Sequence, residues 1–372
     1  RSEIKVRCVS EPEFFLTARI FVAPNDRQPL NDAMLFLCQH GFESLLEREL
    51  SEAGVTVAEK ERGWARAEPI VGDLIKVSLA ELAFPQLIMT SIHELRGESV
   101  NALAQQLADF FLESLRGERL DAAWPCVFQT VAEVVGLGRR ASAVEKALGE
   151  LLKKKLSRVA KLATWEIPRG AGATRGLFVF FADFGRVFVS RDAWRGGQRR
   201  MADDESAPSR SYLKVEEAYI VLEREPQPEE TVVDLGAAPG GWSYSAAKRG
   251  ARVIAVDNGP LKGGALNHPS IEHRLEDAFK FRPAAGEVYD WLFCDLVEEP
   301  HHVMQNIVHP WLSQGWCRRF VVNLKFGHVD AIGLLAELRA KESPFASYAR
   351  NLHIRHLYHD REEFTVVGEF NS

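Results

Sequence analysis

A glycine-rich turn in the C-terminal half of the chain has the residue types of a ligand-binding loop. It reads Asp-Leu-Gly-Ala-Ala-Pro-Gly-Gly-Trp from Asp234 to Trp242 and continues an apolar run that begins at Thr231. Ligands of open α/β sheets bind where strands end at their carboxyl edge, and glycines let the backbone approach a ligand closely. We therefore predict ligand contacts from Gly236, Ala238, Pro239, Gly240, Gly241 and Trp242.

Carboxylates around this turn indicate which ligand it takes. Asp257 follows the next apolar run, where it can accept hydrogen bonds from ribose hydroxyls, and Asp277 follows the third run, within reach of an adenine amino group. A dinucleotide is the alternative, but its fingerprint is Gly-x-Gly-x-x-Gly. Asp234 would repel a pyrophosphate and suits the ammonium group of a methionine moiety, so the pattern favours S-adenosylmethionine.

Four further charges occupy strand ends or sheet margins and could converge on one pocket. Asp295 and Lys325 each end an apolar run, Glu363 opens the last run, and Lys214 lies on the helix before the sheet. Each charge alone is typical of a solvated surface. Asp295 and Lys325 are harder to explain in that way, because the runs before them should be buried.

Two other kinds of methyl-transfer site are absent from the sequence. Methylation of base amino groups commonly uses Asn-Pro-Pro-Tyr after the fourth strand, where this chain has Cys294-Asp295-Leu296-Val297. Methylation at carbon 5 of cytosine needs a nucleophilic cysteine in a Pro-Cys context, which neither Cys294 nor Cys317 has. Both are predicted to be buried packing thiols.

The elements that must position these residues form an α/β domain from residue 201 to 372. Apolar runs alternate with helical stretches, which indicates a mostly parallel sheet. The last two strands are too close in sequence for a crossover helix and are expected to pair antiparallel. Seven strands are predicted, over residues 231–235, 252–257, 271–275, 290–295, 319–325, 353–358 and 363–368.

The N-terminal half shows a different pattern. Residues 1–33 form an extension of unknown role, in which 14–23 could hold a strand. Residues 34–100 begin a strand–helix–strand–strand–helix order typical of a ferredoxin-like α+β unit. Residues 101–200 form a second segment, with one amphipathic helix from Val144 to Val159 and paired strands over 176–181 and 186–190. Residues 196–209 are predicted to be a flexible linker.

Charge is unevenly distributed along the chain. The net charge is −6, yet residues 139–200 contain 15 Lys and Arg against 5 Asp and Glu. Such a basic segment is an electrostatic indication of a polyanionic partner. The predicted contacts are Lys153, Lys154, Lys155, Arg158 and Lys161, although a charge run is also typical of a solvated helix.

Five cysteines without a Cys-x-x-Cys pair argue against a zinc site or a disulfide framework, so no metal is predicted. Reduced thiols, together with the lack of a secretory signal or a membrane-length apolar run, predict a cytoplasmic protein.

The C-terminal half resembles the FtsJ-like RNA 2′-O-methyltransferases, which carry the same cofactor turn and a Lys-Asp-Lys-Glu tetrad. Lys214, Asp295, Lys325 and Glu363 match that tetrad in order; Glu362 is adjacent, and alternation into the last strand favours Glu363. Further stretches are similar to the bacterial 23S rRNA cytidine 2′-O-methyltransferases, from about Met34 to near the C-terminus. They include residues 207–211, 256–260, 279–283, 323–325 and 357–363.

The resemblance implies a Rossmann-like seven-stranded methyltransferase domain (201–372), preceded by ferredoxin-like (34–100) and THUMP (101–200) α+β domains. It implies S-adenosylmethionine-dependent methylation of a cytidine 2′-hydroxyl in 23S rRNA, before full ribosome assembly, without DNA or membrane partners. Lys325 would be the base or would orient the hydroxyl, and the net direction of its pKa shift stays open. Ser211 would touch the methionine end, or is a helix N-cap.

Three other functions fit parts of the pattern. The same chemistry could act on tRNA or another rRNA. A dehydrogenase would bind a nicotinamide dinucleotide instead of S-adenosylmethionine. A non-catalytic RNA-binding protein would bind RNA without methyl transfer, but the complete tetrad argues against it.

Overall fold

A computed structural model describes residues 33–68 and 78–371. The possible strand at 14–23 lies outside the described residues, as does Cys8. Within these ranges no helix is both long and apolar enough to cross a membrane. The described residues form two α/β parts, each built on one sheet.

The N-terminal part has nine strands and four helices. The strands are β1 (Met34–Leu37), β2 (Val57–Glu61), β3 (Trp64–Ala67), β4 (Leu87–Thr90), β5 (His93–Arg96), β6 (Trp124–Thr130), β7 (Ala163–Thr164), β8 (Ala171–Phe181) and β9 (Arg186–Gly196). The helices are α1 (Glu43–Glu52), α2 (Val100–Ser114), α3 (Leu137–Lys155) and α4 (Ser157–Lys161). A 3₁₀ turn covers Leu79–Glu81.

All nine strands belong to one sheet, in the order β2-β3-β1-β4-β9-β8-β6-β7, with β5 also pairing with β9. The long strand β9 joins the two predicted segments, because its second half pairs with β4 and its first half with β5. The boundary predicted at residue 100 therefore runs through a continuous sheet. Assignment of 34–100 as ferredoxin-like and 101–200 as THUMP stays a prediction.

Several predicted elements differ from the structure in their bounds. The helix predicted from Val144 to Val159 is broken at Leu156, whose φ of −141° and ψ of 59° are not helical. The break turns α4 back towards β6, where the Trp124 indole donates to the Val159 carbonyl. Strands β8 and β9 extend beyond the predicted 176–181 and 186–190, because residues 171–175 also pair with 192–196 across a register shift.

The C-terminal part has seven strands and six helices. The strands are β10 (Thr231–Leu235), β11 (Arg252–Val256), β12 (Ile271–Arg274), β13 (Tyr289–Cys294), β14 (Cys317–Lys325), β15 (Ala349–Arg355) and β16 (Glu363–Phe370). The helices are α5 (Tyr212–Leu222), α6 (Gly241–Ala247), α7 (Pro300–Val303), α8 (His309–Ser313), α9 (Ala331–Arg339) and α10 (Pro344–Tyr348). A π-helical turn, Met304–Val308, joins α7 to α8, and a 3₁₀ turn covers Gly263–Ala265.

The second sheet has the order β12-β11-β10-β13-β14-β16-β15. Strands β10 to β14 are parallel, whereas β16 runs antiparallel to both β14 and β15. The predicted mixed α/β sheet and its antiparallel final pair are therefore confirmed. One strand was predicted with the wrong bounds. It was expected over residues 353–358, whereas β15 ends at Arg355. The buried Leu357 beyond it belongs to a loop rather than to a strand.

The segment 197–209 is not a free linker. The Arg199 amide donates to Glu217 at 2.9 Å, the Met201 amide donates to His359 Nε2 at 2.9 Å, and Ser206 accepts from the Gly264 amide at 2.8 Å. Although it has no regular structure, the segment is hydrogen-bonded along the C-terminal part. The prediction of flexibility was wrong because composition does not show these tertiary hydrogen bonds.

The two parts share a hydrophobic core. Phe84 of the N-terminal part packs against Phe364 at a ring-centroid distance of 5.4 Å and against Phe326 at 6.3 Å. Phe326 immediately follows Lys325 at the end of β14, and Phe364 immediately follows Glu363 at the start of β16. Buried Glu49 of α1 accepts from Arg339 of α9 at 2.8 Å. The N-terminal part thus packs directly behind the strand ends that carry the predicted site.

Candidate active site

The four predicted tetrad residues meet at one edge of the second sheet. Lys325 Nζ lies 2.6 Å from Asp295 Oδ1 and 3.2 Å from Glu363 Oε2, while Lys214 Nζ lies 2.7 Å from Glu363 Oε1 and 3.4 Å from Asp295 Oδ2. Each carboxylate therefore contacts both ammonium groups. Two cations and two anions form a closed, charge-balanced ring.

The sheet explains this convergence. Lys325 and Glu363 are directly opposite each other on the antiparallel strands β14 and β16. Asp295 immediately follows β13, which is the parallel neighbour of β14. Lys214 reaches the ring from α5. Three adjacent strand ends and one helix therefore supply four side chains that are far apart in sequence.

Glu363, and not Glu362, completes the ring. The Glu363 side chain is 5% exposed and contacts both lysines, whereas Glu362 is exposed and lies near Gly327. Alternation along β16 accounts for the difference, because neighbouring residues of a strand point to opposite faces.

Burial and charge act in opposite directions on the pKa of Lys325. Burial alone would lower it, but the adjacent Asp295 and Glu363 carboxylates outweigh burial, and the pKa stands above its ordinary value. This upward direction, together with the two carboxylate contacts, favours an ammonium group at Lys325 in the free protein. Burial would raise the pKa of Asp295, but the two lysines outweigh it and the pKa is lowered.

The tetrad lies in the wall of a cavity of about 1030 Å³. The same wall includes most of the predicted cofactor contacts, namely Ser211, Gly236, Ala238, Pro239, Gly241 and Trp242, together with Asp234. Ser211 does not cap its helix through its side chain; its hydroxyl is 2.7 Å from that of Ser209, and its carbonyl accepts from the Trp242 indole at 2.9 Å.

Two glycines of the turn have backbone conformations that a side chain would strain. Gly236 has a φ of +81° and Gly240 a φ of +104°, both in the left-handed region. A Cβ on Gly240 would lie 2.5 Å from the Ala265 methyl carbon. Gly240 does not line the cavity itself, so its role is to shape the turn that does.

Asp257 and Asp277 lie outside the cavity wall. Asp257 orders the turn, since its two oxygens accept from the amides of Ala238 at 3.0 Å and Gly259 at 2.7 Å. Asp277 accepts from the Phe279 amide at 2.9 Å and contacts Lys280 at 3.3 Å. The structure does not bring Asp277 to the tetrad, so its predicted adenine contact stays a prediction.

Asp234 is a buried carboxyl group at the bottom of the turn. It is 1% exposed, accepts from the Ser243 hydroxyl at 2.6 Å, and forms no ion pair within the described ranges. Burial raises its pKa to about 7, and the negative charges of Asp295 and Asp257 add to this effect. A buried carboxyl group that lines a cavity and has no ion-pair partner of its own is suited to a cationic ligand.

Sequence reasoning missed the residues directly behind the tetrad. Asn323, Asp360 and Thr365 are each 1% exposed and form hydrogen bonds to one another or to the tetrad. Two of them could have been found from the sequence. Asn323 and Thr365 are polar residues in apolar strands, two positions from Lys325 and Glu363, and alternation places them on the same face of the sheet. Nothing local distinguishes Asp360 from other acids of a polar loop.

The predicted RNA-binding cations are partly neutralised. Lys153 contacts Glu150 at 2.8 Å, Lys155 contacts Asp109 at 3.3 Å, and Arg158 contacts Asp121 at 2.7 Å. In the part of the chain that the structure describes, Lys154 and Lys161 have no carboxylate partner. Two of these acids, Asp109 and Asp121, lie outside 139–200 and offset part of its basic excess.

Cys294 and Cys317 are both completely buried, as predicted for packing thiols. Burial raises the pKa of Cys294 to about 12. Neither thiol is therefore available as a nucleophile.

Comparison with known proteins agrees with this geometry. Residues 207–313 match the model of the FtsJ-like methyltransferase family. Ribosomal RNA large subunit methyltransferase M of Laribacter hongkongensis is 38% identical over 244 residues, which cover 62% of this chain and 66% of that relative, just under two thirds of its length.

Two other proteins of the same name match nearly end to end. The protein of Marinomonas sp. is 31% identical over 90% of this chain and 98% of its own length. The protein of Alkalilimnicola ehrlichii is 34% identical over 90% of this chain and 93% of its own length. The chain therefore belongs to the methyltransferase family of the ribosomal RNA large subunit methyltransferases M.

Proposed function

We propose that this protein transfers a methyl group from S-adenosylmethionine to a ribose 2′-hydroxyl of a cytidine in 23S rRNA. The observation that carries the proposal is the closed ring of Lys214, Asp295, Lys325 and Glu363 in the wall of the cavity that the glycine turn also lines. The names of the relatives support rRNA as the substrate. Cytidine and the 2′ position rest on the resemblance of the motifs.

The residues present fit S-adenosylmethionine. Asp234 offers a buried carboxylate to the ammonium group, and the two glycines with positive φ leave the turn without side chains at those positions. When bound, S-adenosylmethionine supplies an electrophilic methyl group. Asp257 lies outside the cavity wall, and we assign it to the ribose hydroxyls because each of its oxygens accepts one backbone amide and keeps a lone pair.

Lys325 positions the acceptor hydroxyl in this proposal. Of the four tetrad side chains it is the most exposed, at 25%, and it lines the cavity. Its ammonium group binds the hydroxyl oxygen, while Asp295 and Glu363 hold the ammonium in place. Proton uptake from the hydroxyl requires the neutral amine, which at its ordinary pKa is about one molecule in 10³ at neutral pH.

Mapping of ribose methylation tests the proposal. We expect 23S rRNA from cells that lack this protein to lose one cytidine 2′-O-methylation, and the purified protein with S-adenosylmethionine to restore it. A missing mark on tRNA or on another rRNA would assign a different RNA substrate. RNA binding without any methyl transfer would contradict the proposal.

RNA contact is proposed for two surfaces. The first is the N-terminal part, as a THUMP domain, through Lys154 and Lys161 of α3 and α4. The second lies at the cavity, where exposed Arg361 and Arg210 line the wall. Exposed Arg200 lies near His359. The pKa of His359 is lowered mainly by burial, and the charges of Arg210 and Arg200 lower it further. Neither Arg200 nor Arg361 forms an ion pair with another described residue.

We expect the double variant Arg200→Glu, Arg361→Glu to weaken RNA binding and to reduce its salt dependence. Removal of about two phosphate contacts should lower the slope of log K against log salt by about 1 to 2. Fluorescence anisotropy with an rRNA fragment at several salt concentrations measures both. The control, Arg252→Glu with Arg318→Glu, makes the same charge change at the opposite edge of the sheet, at arginines that are paired with Glu229 and Asp290, and its folding is checked by circular dichroism. Equal losses in both would contradict the cavity surface.

A further inference from the structure

A second polar pair lies directly behind the tetrad. Asn323 and Thr365 are opposite each other on β14 and β16, two residues along the same face from Lys325 and Glu363. Thr365 Oγ1 lies 2.7 Å from Asn323 Oδ1 and 3.0 Å from both carboxyl oxygens of Asp360. The side chains of all three residues are buried, so each of these contacts needs a hydrogen atom.

The orientation of the Asn323 amide follows from its neighbours. Its nitrogen lies 3.3 Å from Asp295 Oδ1 and 3.5 Å from Glu363 Oε2. Both carboxylates are paired with lysines and accept hydrogen bonds only. The reverse orientation would place the amide oxygen against two carboxylate oxygens, so the amide nitrogen must face the tetrad and its oxygen must face Thr365.

The remaining hydrogens can then be assigned. An amide oxygen has no hydrogen, so Thr365 donates its only hydrogen to Asn323. The contact between Thr365 and Asp360 therefore needs a hydrogen from Asp360. Asp360 Oδ2 accepts from the Leu357 amide at 2.8 Å, which leaves Oδ1 as the oxygen that carries the proton.

We propose that Asp360 is a neutral, protonated carboxylic acid and a positioning residue of this site. It donates to Thr365, which donates to Asn323, which donates to the Asp295 and Glu363 carboxylates. This directional chain holds the two carboxylates that hold Lys325. The role in methyl transfer rests on the proposed function, whereas the protonation state does not.

Electrostatics agree with this assignment. Burial raises the pKa of Asp360 well above its ordinary value, and the Glu363 carboxylate adds to this effect. Lys214 and the hydrogen bond from the Leu357 amide oppose it, as would a hydrogen bond from Thr365 to the ionised carboxylate. Glu217 of α5 is a further carboxyl group that interacts with Asp360. A charged Asp360 would add a third anion beside two lysines, and would draw the Thr365 hydrogen away from Asn323.

Infrared spectroscopy tests the protonation state without any activity. The difference spectrum between the wild type and Asp360→Asn at pH 7 should contain the carbonyl band of a protonated carboxylic acid. Other buried acids occur in both proteins and cancel. Absence of this band overturns the proposal, and its presence stands even if the protein methylates a different acceptor.

Single-turnover methyl transfer tests the positioning role. We expect Asp360→Ala and Thr365→Val each to slow the step by about tenfold or more, the scale of one buried hydrogen bond, with unchanged affinity for S-adenosylhomocysteine. Asp360→Asn keeps a neutral donor and an acceptor, and Thr365→Ser keeps the hydroxyl, so each should recover most of the lost rate. If Asp360→Asn is as slow as Asp360→Ala, the charge of Asp360 is required and the proposal is wrong.

Thermal unfolding monitored by circular dichroism accompanies these variants. Asp360→Ala and Asp360→Asn both remove the carboxyl group, so a loss of folding alone would affect them in the same direction. Recovery of rate by Asp360→Asn at equal folded fraction therefore supports the hydrogen-bond chain.

Discussion

Replacement of Lys325 by alanine is expected to abolish methyl transfer while the protein still binds S-adenosylhomocysteine. The Lys325 side chain is the most exposed of the ring and lines the cavity. A loss of about 10³-fold or more is expected, since both the alignment of the hydroxyl and the path for its proton are removed. Single-turnover transfer of a labelled methyl group to 23S rRNA, with calorimetry of S-adenosylhomocysteine binding, measures the two effects.

A second variant separates the charge of Lys325 from its proton uptake, and a third is a control. Lys325→Arg keeps a cation that cannot lose its proton at neutral pH, so it should stay inactive if Lys325 takes the proton. Lys341→Ala, an exposed lysine outside the cavity wall, should retain full activity. Retained methylation by Lys325→Ala would rule out both roles of this residue.

The rate of the wild-type reaction should also depend on pH. Because the pKa of Lys325 lies above its ordinary value, the neutral amine becomes more abundant as the pH rises. If the amine accepts the proton, the single-turnover rate should increase about tenfold per pH unit between pH 7 and 9. A flat profile would show that Lys325 only orients the hydroxyl.

The second large effect is expected at Asp234. Asp234→Asn is nearly isosteric, but it removes the carboxylate that we assign to the ammonium group of S-adenosylmethionine. Loss of one partner of a buried ion pair costs about 3 kcal/mol or more, so the Kd should rise about 10²-fold. Calorimetry of S-adenosylhomocysteine binding, which retains the ammonium group, measures this change.

The pH dependence of binding provides an internal check. The free protein has an Asp234 pKa of about 7, and the ligand requires the ionised form. Affinity should therefore be full above pH 7 and should weaken, by up to about tenfold per pH unit, as the pH falls below 7. Asp234→Asn should lose this dependence, and Ser243→Ala, which keeps the carboxylate, should retain it. The same pH dependence in Asp234→Asn and in the wild type would assign it to another group.

The sequence predicted the second sheet well because its signal is local. Most of the parallel strands contain a short apolar run with a polar residue at its end, and those polar residues include Asp295 and Lys325. The error at β15 has the opposite cause. Leu357 is buried by tertiary packing in a loop, and an apolar residue gives the same pattern in a buried loop as in a strand.

Long-range pairing was beyond local patterns. The single N-terminal sheet depends on pairs such as Leu87 with Arg195, which no short window of sequence contains. The same holds for charge: Arg186 is neutralised by Glu59 and Glu94 from distant strands, so the charge of a segment in sequence overstates the charge of the surface that it forms. At the site, the tetrad was predictable from motif order, whereas the role of Asp360 depends on burial and on hydrogen counting.

The aromatic contact between the two parts has an evolutionary consequence. Lys325 and Glu363 are each followed by a phenylalanine, and both rings pack against Phe84 of the N-terminal part. A gene fragment encoding only 201–372 would retain every tetrad residue, yet would expose this apolar face beside the strand ends that carry two of them. Recombination could therefore not join the C-terminal part to an unrelated RNA-binding domain without leaving this apolar face exposed. Exchange of the N-terminal part would have to preserve an aromatic surface of the same shape.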